Sequence, residues 1–373
     1  MRLGVKIISF KAVVLVLLVT VGIINGCSKK TVVFEKFEVK SGTNVAHWLS
    51  QSDRRGVERE QFFTKKDVER IASMGFDHIR LPIDEEQMWD DNGNRYEPAF
   101  QLMENSINWC AENNLKVIVD LHILRSHHFN AKEKPLWTDP AEQEKFFDLW
   151  RDLSKSLKKF PNSLVAYELM NEAVADDHES WNSLLARAFT AIRELERERT
   201  IVIGSNSWQS VETFDALRVP ANDKNILLSF HFYKPFLLTH YAAEWTSLKA
   251  YKGPAHYPGV ILTQQEFETL PEDIKVEVEK WVDVEFSKEI LLEMWQKPIN
   301  KAKALGLPLY CGEFGIISNA PKKETLLWYE DMIKLFEETD IGYANWNYKS
   351  DNFGLIYPDG TENKPLISVV VKK

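Results

Sequence analysis

The chain has 373 residues, of which 44% are hydrophobic, 27% charged and 12% aromatic, with a formal net charge of −9. That is the balance of an ordinary globular protein rich in aromatic side chains, large enough for one big domain or two of usual size. An acidic chain without a basic stripe argues against nucleic acid as a partner.

At the N-terminus, Arg2, Lys6 and Lys11 precede an uncharged apolar run from Ala12 to Ile24. The run is too short to span a bilayer comfortably and reads as an export signal. Ile24-Asn25-Gly26-Cys27 resembles a bacterial lipobox, with Asn25 a less usual member, and Ser28 after the cysteine resembles proteins sorted to an outer membrane. The expected organisation is a lipoprotein signal over 1–26, lipidated Cys27 opening a short linker over 27–38, and one folded domain over 39–373. Anchoring in the outer membrane, on its periplasmic face or at the cell surface, follows from that reading. The other cysteines, Cys110 in a helical pattern and Cys311 in an apolar run, look like buried thiols, so no disulfide and no structural zinc site are expected.

Beyond the linker, short apolar runs alternate with amphipathic stretches. The predicted strands are "VKSGTNVAHW", "FDHIRLPI", "KVIVDLH", "LVAYELMNE", "TIVIGS", "NILLSFHFY", "LPLYCGEFG" and "IGYANWNY". Predicted helices lie between most of them: "TKKDVERIASMG", "AFQLMENSINWCAENN", "AEQEKFFDLWRDLSKSLKKF", "SWNSLLARAFTAIRELERE", "KEILLEMWQKPINKAKALG" and "KETLLWYEDMIKLFEETD". Near-continuous apolar strands are those of a parallel sheet covered on both faces. Eight of them, with no Gly-rich phosphate turn after the first, predict an α/β fold of the closed (β/α)8 TIM-barrel type. The interval Lys234–Lys288 is too long for a simple connection and predicts local structure or function of its own.

Polar residues gather at the C-terminal ends of these runs: Arg80, His122, Asn171 with Glu172, His231 with Tyr233, Glu313 and Trp346. A barrel would bring them to one face. Glu172 and Glu313 would then face each other across a cleft, the arrangement that glycosidic bond cleavage needs: one carboxyl protonates the leaving oxygen while the other attacks the sugar carbon. His122, His127 and His128 lack the helix motif of a metal site, and no metal or other cofactor is expected.

The ordered set "GTNVAHWL", "IRLP", "DLH", "ELMNE", "HFY", "GEFG" and "NWNY", spread over Gly42 to Tyr348, resembles the cellulase family, glycoside hydrolase family 5. The resemblance implies a (β/α)8 barrel and hydrolysis with retained anomeric configuration. It makes Glu172 the acid/base and Glu313 the nucleophile, with carboxyl groups roughly 5–5.5 Å apart. It places Arg80 and Tyr233 against the nucleophile, Asn171 on the sugar 2-hydroxyl, His122 and His231 beside the reacting sugar, and Trp346 beneath it. Trp245 and then Trp48 are the candidates for further sugar platforms, whereas Trp109, Trp150, Trp181, Trp295 and Trp328 belong to helical patterns and to the core.

"ILRSHHFN" after "DLH" and the long interval Lys234–Lys288 depart from the better-known cellulases, and both would flank the cleft, where loops set the sugar subsites. The expected activity is that of a monomeric endo-β-1,4-glucanase. β-Mannan, xyloglucan, xylan or β-1,3-glucan are the alternative substrates. A surface glycan-binding lipoprotein without catalysis is the competing reading.

Overall fold

All eight apolar runs form strands in the computed structural model, which describes residues 36–371. The predicted signal and Cys27 lie outside those residues. The strands are β1 (Ser41–Asn44), β2 (His78–Asp84), β3 (Lys116–Ile123), β4 (Val165–Glu168), β5 (Ile201–Gly204), β6 (Ile226–Phe232), β7 (Leu309–Phe314) and β8 (Gly342–Asn345). They pair in parallel around a closed ring, β1-β8-β7-β6-β5-β4-β3-β2. The (β/α)8 barrel is therefore present.

Both faces of the strands are buried, which explains the continuous apolar runs. On β2 to β6, Ile79, Leu81, Val117, Val119, Val165, Ile201, Leu228 and their neighbours pack outward against the helices, while Ile118, Ala166, Val202, Leu227, Tyr310 and Ala344 form a separate apolar cluster inside the ring. The second set alternates with the first at the strand period of two. One step further along the same inward rows the residues turn polar: Arg80, Asp120, Glu168 and Ser229 are all fully buried. The barrel is thus plugged by hydrocarbon below and charged above.

The helices begin and end where local chemistry dictates. α1 (Lys65–Met74) opens with a capping box between Thr64 and Asp67 and closes at Gly75, whose φ of 105° suits glycine. α2 (Glu97–Glu112), α3 (Pro140–Leu157) and α4 (His178–Leu195) follow β2, β3 and β4, and Asp139 and Asp177 cap the last two through their carboxylates. Between β5 and β6 no long helix forms among the described residues, just a distorted turn over Asn206–Gln209 and a 3-10 turn over Val211–Ala216. α5 (Lys288–Met294) and α6 (Gln296–Leu305) follow the long insertion, and α7 (Lys322–Thr339) and α8 (Lys364–Val370) follow β7 and β8. No helix among the described residues is long and apolar enough to cross a membrane.

The insertion after β6 has structure of its own, as its length predicted. It carries short helices at Phe236–Thr239, Gln264–Glu268 and Glu272–Val278 and an antiparallel pairing of Gly259–Val260 with Glu285–Phe286. Leu237, Leu248, Tyr251, Tyr257, Ile261 and Val278 bury it onto the main core. Trp150, Trp181, Trp295 and Trp328 are core residues and Trp109 is partly buried; Cys110 and Cys311 are buried free thiols.

Candidate active site

The polar layer of the barrel is organised by one cation. Arg80 lies within β2, the third residue of that strand rather than its last, and is wholly buried. Its Nε donates to Glu168 Oε2 at 2.6 Å, Nη1 to Glu313 Oε1 at 2.8 Å and to Asn44 Oδ1 at 3.0 Å, and Nη2 to Asn171 Oδ1 at 2.8 Å. Asp120 Oδ2 also lies 3.0 Å from Nη2. A planar fork of five N–H donors is what such a convergent set of acceptors requires. Asp120 and Glu168 were not among the residues singled out from the sequence. Each sits in a quoted motif, "DLH" and "ELMNE", but only strand register shows that both point at Arg80, since Asp120 and Glu168 are direct neighbours across β3 and β4.

Glu313 and Glu172 meet above this layer. Between β6 and β7 the pairing slips by one residue, Phe230 opposing Cys311 but His231 opposing Glu313. The bulge turns both Gly312 and Glu313 inward. Glycine eases the packing at the first of these, because a Cβ there would sit 3.0 Å from His231 Nε2 and Ser229 Oγ, which would have to give way by a few tenths of an ångström. Glu313 Oε2 accepts from the Tyr233 hydroxyl at 2.9 Å. Glu172 lies past the end of β4 at a φ of 43°, its backbone N–H donating to Gln209 Oε1 at 2.9 Å. His231 Nδ1 is 2.9 Å from Glu172 Oε1 and 3.7 Å from Glu313 Oε2. One oxygen of each glutamate and the His231 nitrogen all lie within 4.8 Å of one another.

The two glutamates have different surroundings. Burial drives Glu172 well above the usual carboxylate range, and the negative charge of Glu313 pushes it further. Burial raises Glu313 as well, but Arg80 and the Tyr233 hydroxyl pull it back. Arg80 touches Asp120, Glu168 and Glu313 but not Glu172, so the proton that charge balance demands rests most favourably on Glu172.

The three histidines of "DLHILRSHHF" go separate ways. His122, held neutral by burial at about 3, donates from Nδ1 to Asp120 Oδ2 at 2.7 Å, and Gln51 Nε2 lies 2.9 Å from its other nitrogen. His127 Nε2 accepts from the Val174 N–H at 3.2 Å, and His128 Nδ1 accepts from Asn130. Among the described residues Asn171 Nδ2 is buried without a hydrogen-bond partner, which leaves a free donor beside its Oδ1 contact with Arg80.

Of the aromatic candidates, Trp346 follows β8 and stacks on His122, with ring centroids 5.5 Å apart and planes 10° from parallel. Trp245 in the insertion is 53% exposed, near His240 and Phe353. Trp48 is no platform: it is fully buried, packed on Phe63 at 4.9 Å, with its indole N–H donating to the Arg59 carbonyl at 2.8 Å. An indole that has a partner for its one donor and no exposed face is core. Sequence reasoning missed Trp208, which is 46% exposed. It is the middle of three consecutive left-handed residues, Ser207, Trp208 and Gln209, with φ of 61°, 60° and 51°. Such strain persists only where surroundings impose it. Here the Asn206 amide clamps the backbone N–H and C=O of Ala175, both at 2.9 Å, and the Trp208 N–H donates to Ala173. The loop after β5 is thereby stitched to the residues following Glu172.

Comparison with known proteins agrees with this geometry. Residues 38–352 match the family described as Cellulase (glycosyl hydrolase family 5). Endoglucanase C of Acetivibrio thermocellus is 34% identical over 347 residues, covering 90% of this chain and 98% of its own length. Cellodextrinase A of Ruminococcus flavefaciens is 28% identical, covering 80% and 82%. Among solved structures, the endoglucanase Cel5A of Thermotoga maritima superposes with a TM-score of 0.71 at 24% identity, over 89% of this chain and 97% of that one.

Proposed function

The chain belongs to the cellulase family, glycosyl hydrolase family 5, and with that as premise we propose that it cleaves internal β-1,4 linkages of a β-glucan with retention of configuration. In the first step Glu313 attacks the anomeric carbon while Glu172 gives its proton to the departing glycosidic oxygen. In the second, Glu172 takes a proton from water as that water displaces Glu313 from the sugar. The observation that carries this assignment is the contrast between two buried carboxyls that bring one oxygen each within 4.8 Å of the other. Glu313 is braced as an anion by Arg80 and Tyr233, whereas among the described residues Glu172 touches no cation, only the His231 ring that burial keeps neutral. Arg80 and Tyr233 position the nucleophile, and the free Asn171 amide N–H meets the 2-hydroxyl as charge develops on the ring. His122 and Trp346 line the reacting sugar's place, with His231 beside the acid.

The raised pKa of Glu172 fixes the sign of the pH dependence. An acid must be protonated, so kcat/KM holds below that pKa and falls as pH rises through it. The basic limb of the profile should therefore vanish in Glu172→Gln. That variant is expected to lose about 10²–10⁴-fold on cello-oligosaccharides and much less on an aryl glycoside whose leaving group needs no proton. A basic limb that survives in the variant would assign it to another group.

Trp208 sits beside the proton donor, hence on the leaving-group side, and Trp245 is a second exposed indole, near His240 and Phe353. Apolar sugar faces stack on such rings. Trp208→Ala is expected to raise KM for cello-oligosaccharides up to about tenfold with little change in folding.

The substrate reading is tested by reducing-end release from the domain lacking residues 1–27 on carboxymethylcellulose, mixed-linkage β-glucan, xyloglucan, glucomannan, mannan, xylan and laminarin. Activity led by the first two supports it. Activity confined to another glycan renames the substrate, and a folded protein that binds glycan without cleaving any would make it a binding lipoprotein. The N-terminal pattern extends the proposal to a monomer tethered through lipidated Cys27 to the outer membrane; lipid labelling that persisted in Cys27→Ala would overturn the anchor.

A further inference from the structure

Between the end of β4 and the start of α4, residues 169–177 form neither helix nor strand. Glu172 stands in this stretch in left-handed backbone, at a φ of 43°. Among the described residues its carboxyl hydrogen-bonds only with His231. A proton donor must be held to within about 0.5 Å of its productive place, so something other than regular structure has to fix this one.

The side chain of Gln209, from the turn after β5, is built to do so. Its amide is buried and engaged at both ends. Oε1 accepts from the Glu172 backbone N–H at 2.9 Å, while Nε2 donates to Glu168 Oε1 at 3.1 Å and to Ser229 Oγ at 3.2 Å. Glu168 is one of the carboxylates gathered on Arg80. One neutral amide thus ties the backbone of the acid to the charged layer that braces the nucleophile. An ionised carboxylate there could not donate to Glu168, and an ammonium could not accept from the N–H.

The surrounding chain is arranged around this side chain. Ser207, Trp208 and Gln209 are left-handed with no glycine among them, which costs free energy unless contacts enforce it. At Gly204, the last residue of β5, a Cβ would sit 2.4 Å from Gln209 Cγ and 2.6 Å from its Nε2, so this glycine leaves the passage by which the amide enters the barrel. On the other flank the Trp208 N–H donates to the Ala173 carbonyl at 3.2 Å, and Asn206 clamps Ala175. The turn therefore grips the segment of the acid at Glu172, Ala173 and Ala175. Filling space would need neither the strained backbone nor an amide at its end.

Resting on the role assigned to Glu172, we infer that Gln209 is a positioning residue for the general acid, holding the Glu172 backbone so that its carboxyl reaches the glycosidic oxygen. It acts through Glu172 and carries no proton of its own.

The test compares kcat/KM on phenyl β-cellobioside, whose leaving oxygen needs a proton, with that on dinitrophenyl β-cellobioside, whose leaving oxygen departs as an anion, and thermal melting verifies the fold. This ratio reports the steps up to departure of the leaving group, where Glu172 serves as acid. Gln209→Met, which keeps the length of the side chain and removes both bonds, is expected to lose about 100-fold on the phenyl substrate and far less on the dinitrophenyl one. Gln209→Glu should recover most of that loss, because a carboxyl buried beside Glu168 takes up a proton and again offers an acceptor and a donor. Should Gln209→Met not fold, Gly204→Ala displaces the same side chain from β5 and is expected to show the same selective loss. Equal losses on the two substrates, no loss on either, or no recovery in Gln209→Glu would overturn the positioning role while the enzyme assignment stands. Glu172→Gln, run alongside, separates the two readings: if it loses as much on the dinitrophenyl substrate as on the phenyl one, Glu172 is not the acid and the inference falls with that role.

Discussion

Glu313→Gln should abolish turnover, lowering kcat on order of 10⁴-fold or more, without unfolding the domain. The amide keeps the shape of the carboxylate: its one oxygen can accept from Arg80 while its NH2 donates to the Tyr233 hydroxyl oxygen, at the two positions where Glu313 accepts at 2.8 and 2.9 Å. It cannot form the glycosyl-enzyme ester, because an amide oxygen is a poor nucleophile at the anomeric carbon. Removing the charge has a second effect. Glu172 is raised first by burial and next by Glu313, so its pKa should fall in the variant, which titration of Glu172 by NMR would read directly. Near-normal kcat on an activated aryl glycoside would rule out Glu313 as the nucleophile. An unshifted Glu172 with turnover lost would keep Glu313 as nucleophile but show that the two carboxyls are less strongly coupled than their separation implies.

That pairing was legible in the sequence because each member closes an apolar run, and in a barrel such positions have one destination. The strands were legible for the same physical reason that makes them ambiguous in detail. With Ile79 and Leu81 packed outward and Ile118 and Ala166 inward, a run apolar on both faces shows where a strand is but not which residue looks where. Asp120 and Glu168 are lost in that ambiguity, since their partner Arg80 lies on another strand, the next one from Asp120 and two strands from Glu168. The bulge that turns Glu313 inward is likewise a matter of register, and only Gly312 hints at it. The tryptophans show the limit for loops. Trp48 and Trp208 both follow strands closely, yet one folds onto Phe63 and the other is propped in solvent by three left-handed residues. The clamp between Asn206 and Ala175 that decides the second case spans 31 positions of chain, beyond any local pattern.

Arg80→Met should cost the fold about 3–5 kcal/mol, the usual penalty for stranding buried charges without their partner, and should also silence catalysis. Among the described residues, Asp120 and Glu168 would each lose the only cation in contact with them, and Glu313 one of the two donors to its carboxylate. Arg80→Lys is expected to recover part of the stability and little of the activity, because a single ammonium cannot serve acceptors on five residues at once. A pH dependence separates this cause from simple loss of packing. Burial already pushes the pKa of Asp120 up to about 7 and raises Glu168 and Glu313, in each case against the pull of Arg80. Without the guanidinium all three should rise further. A carboxyl with a folded-state pKa above its unfolded value binds its proton more tightly when folded. Its contribution is therefore favourable at low pH and is lost as pH rises from the unfolded pKa through the folded one. Each such proton adds about 1.4 kcal/mol per pH unit to that slope. Urea unfolding of Arg80→Met should accordingly show the deficit widening from acid pH toward neutrality. A deficit that is the same at every pH would mean that Arg80 holds the barrel by filling space, and that the carboxyls around it are not charged in the way the site requires.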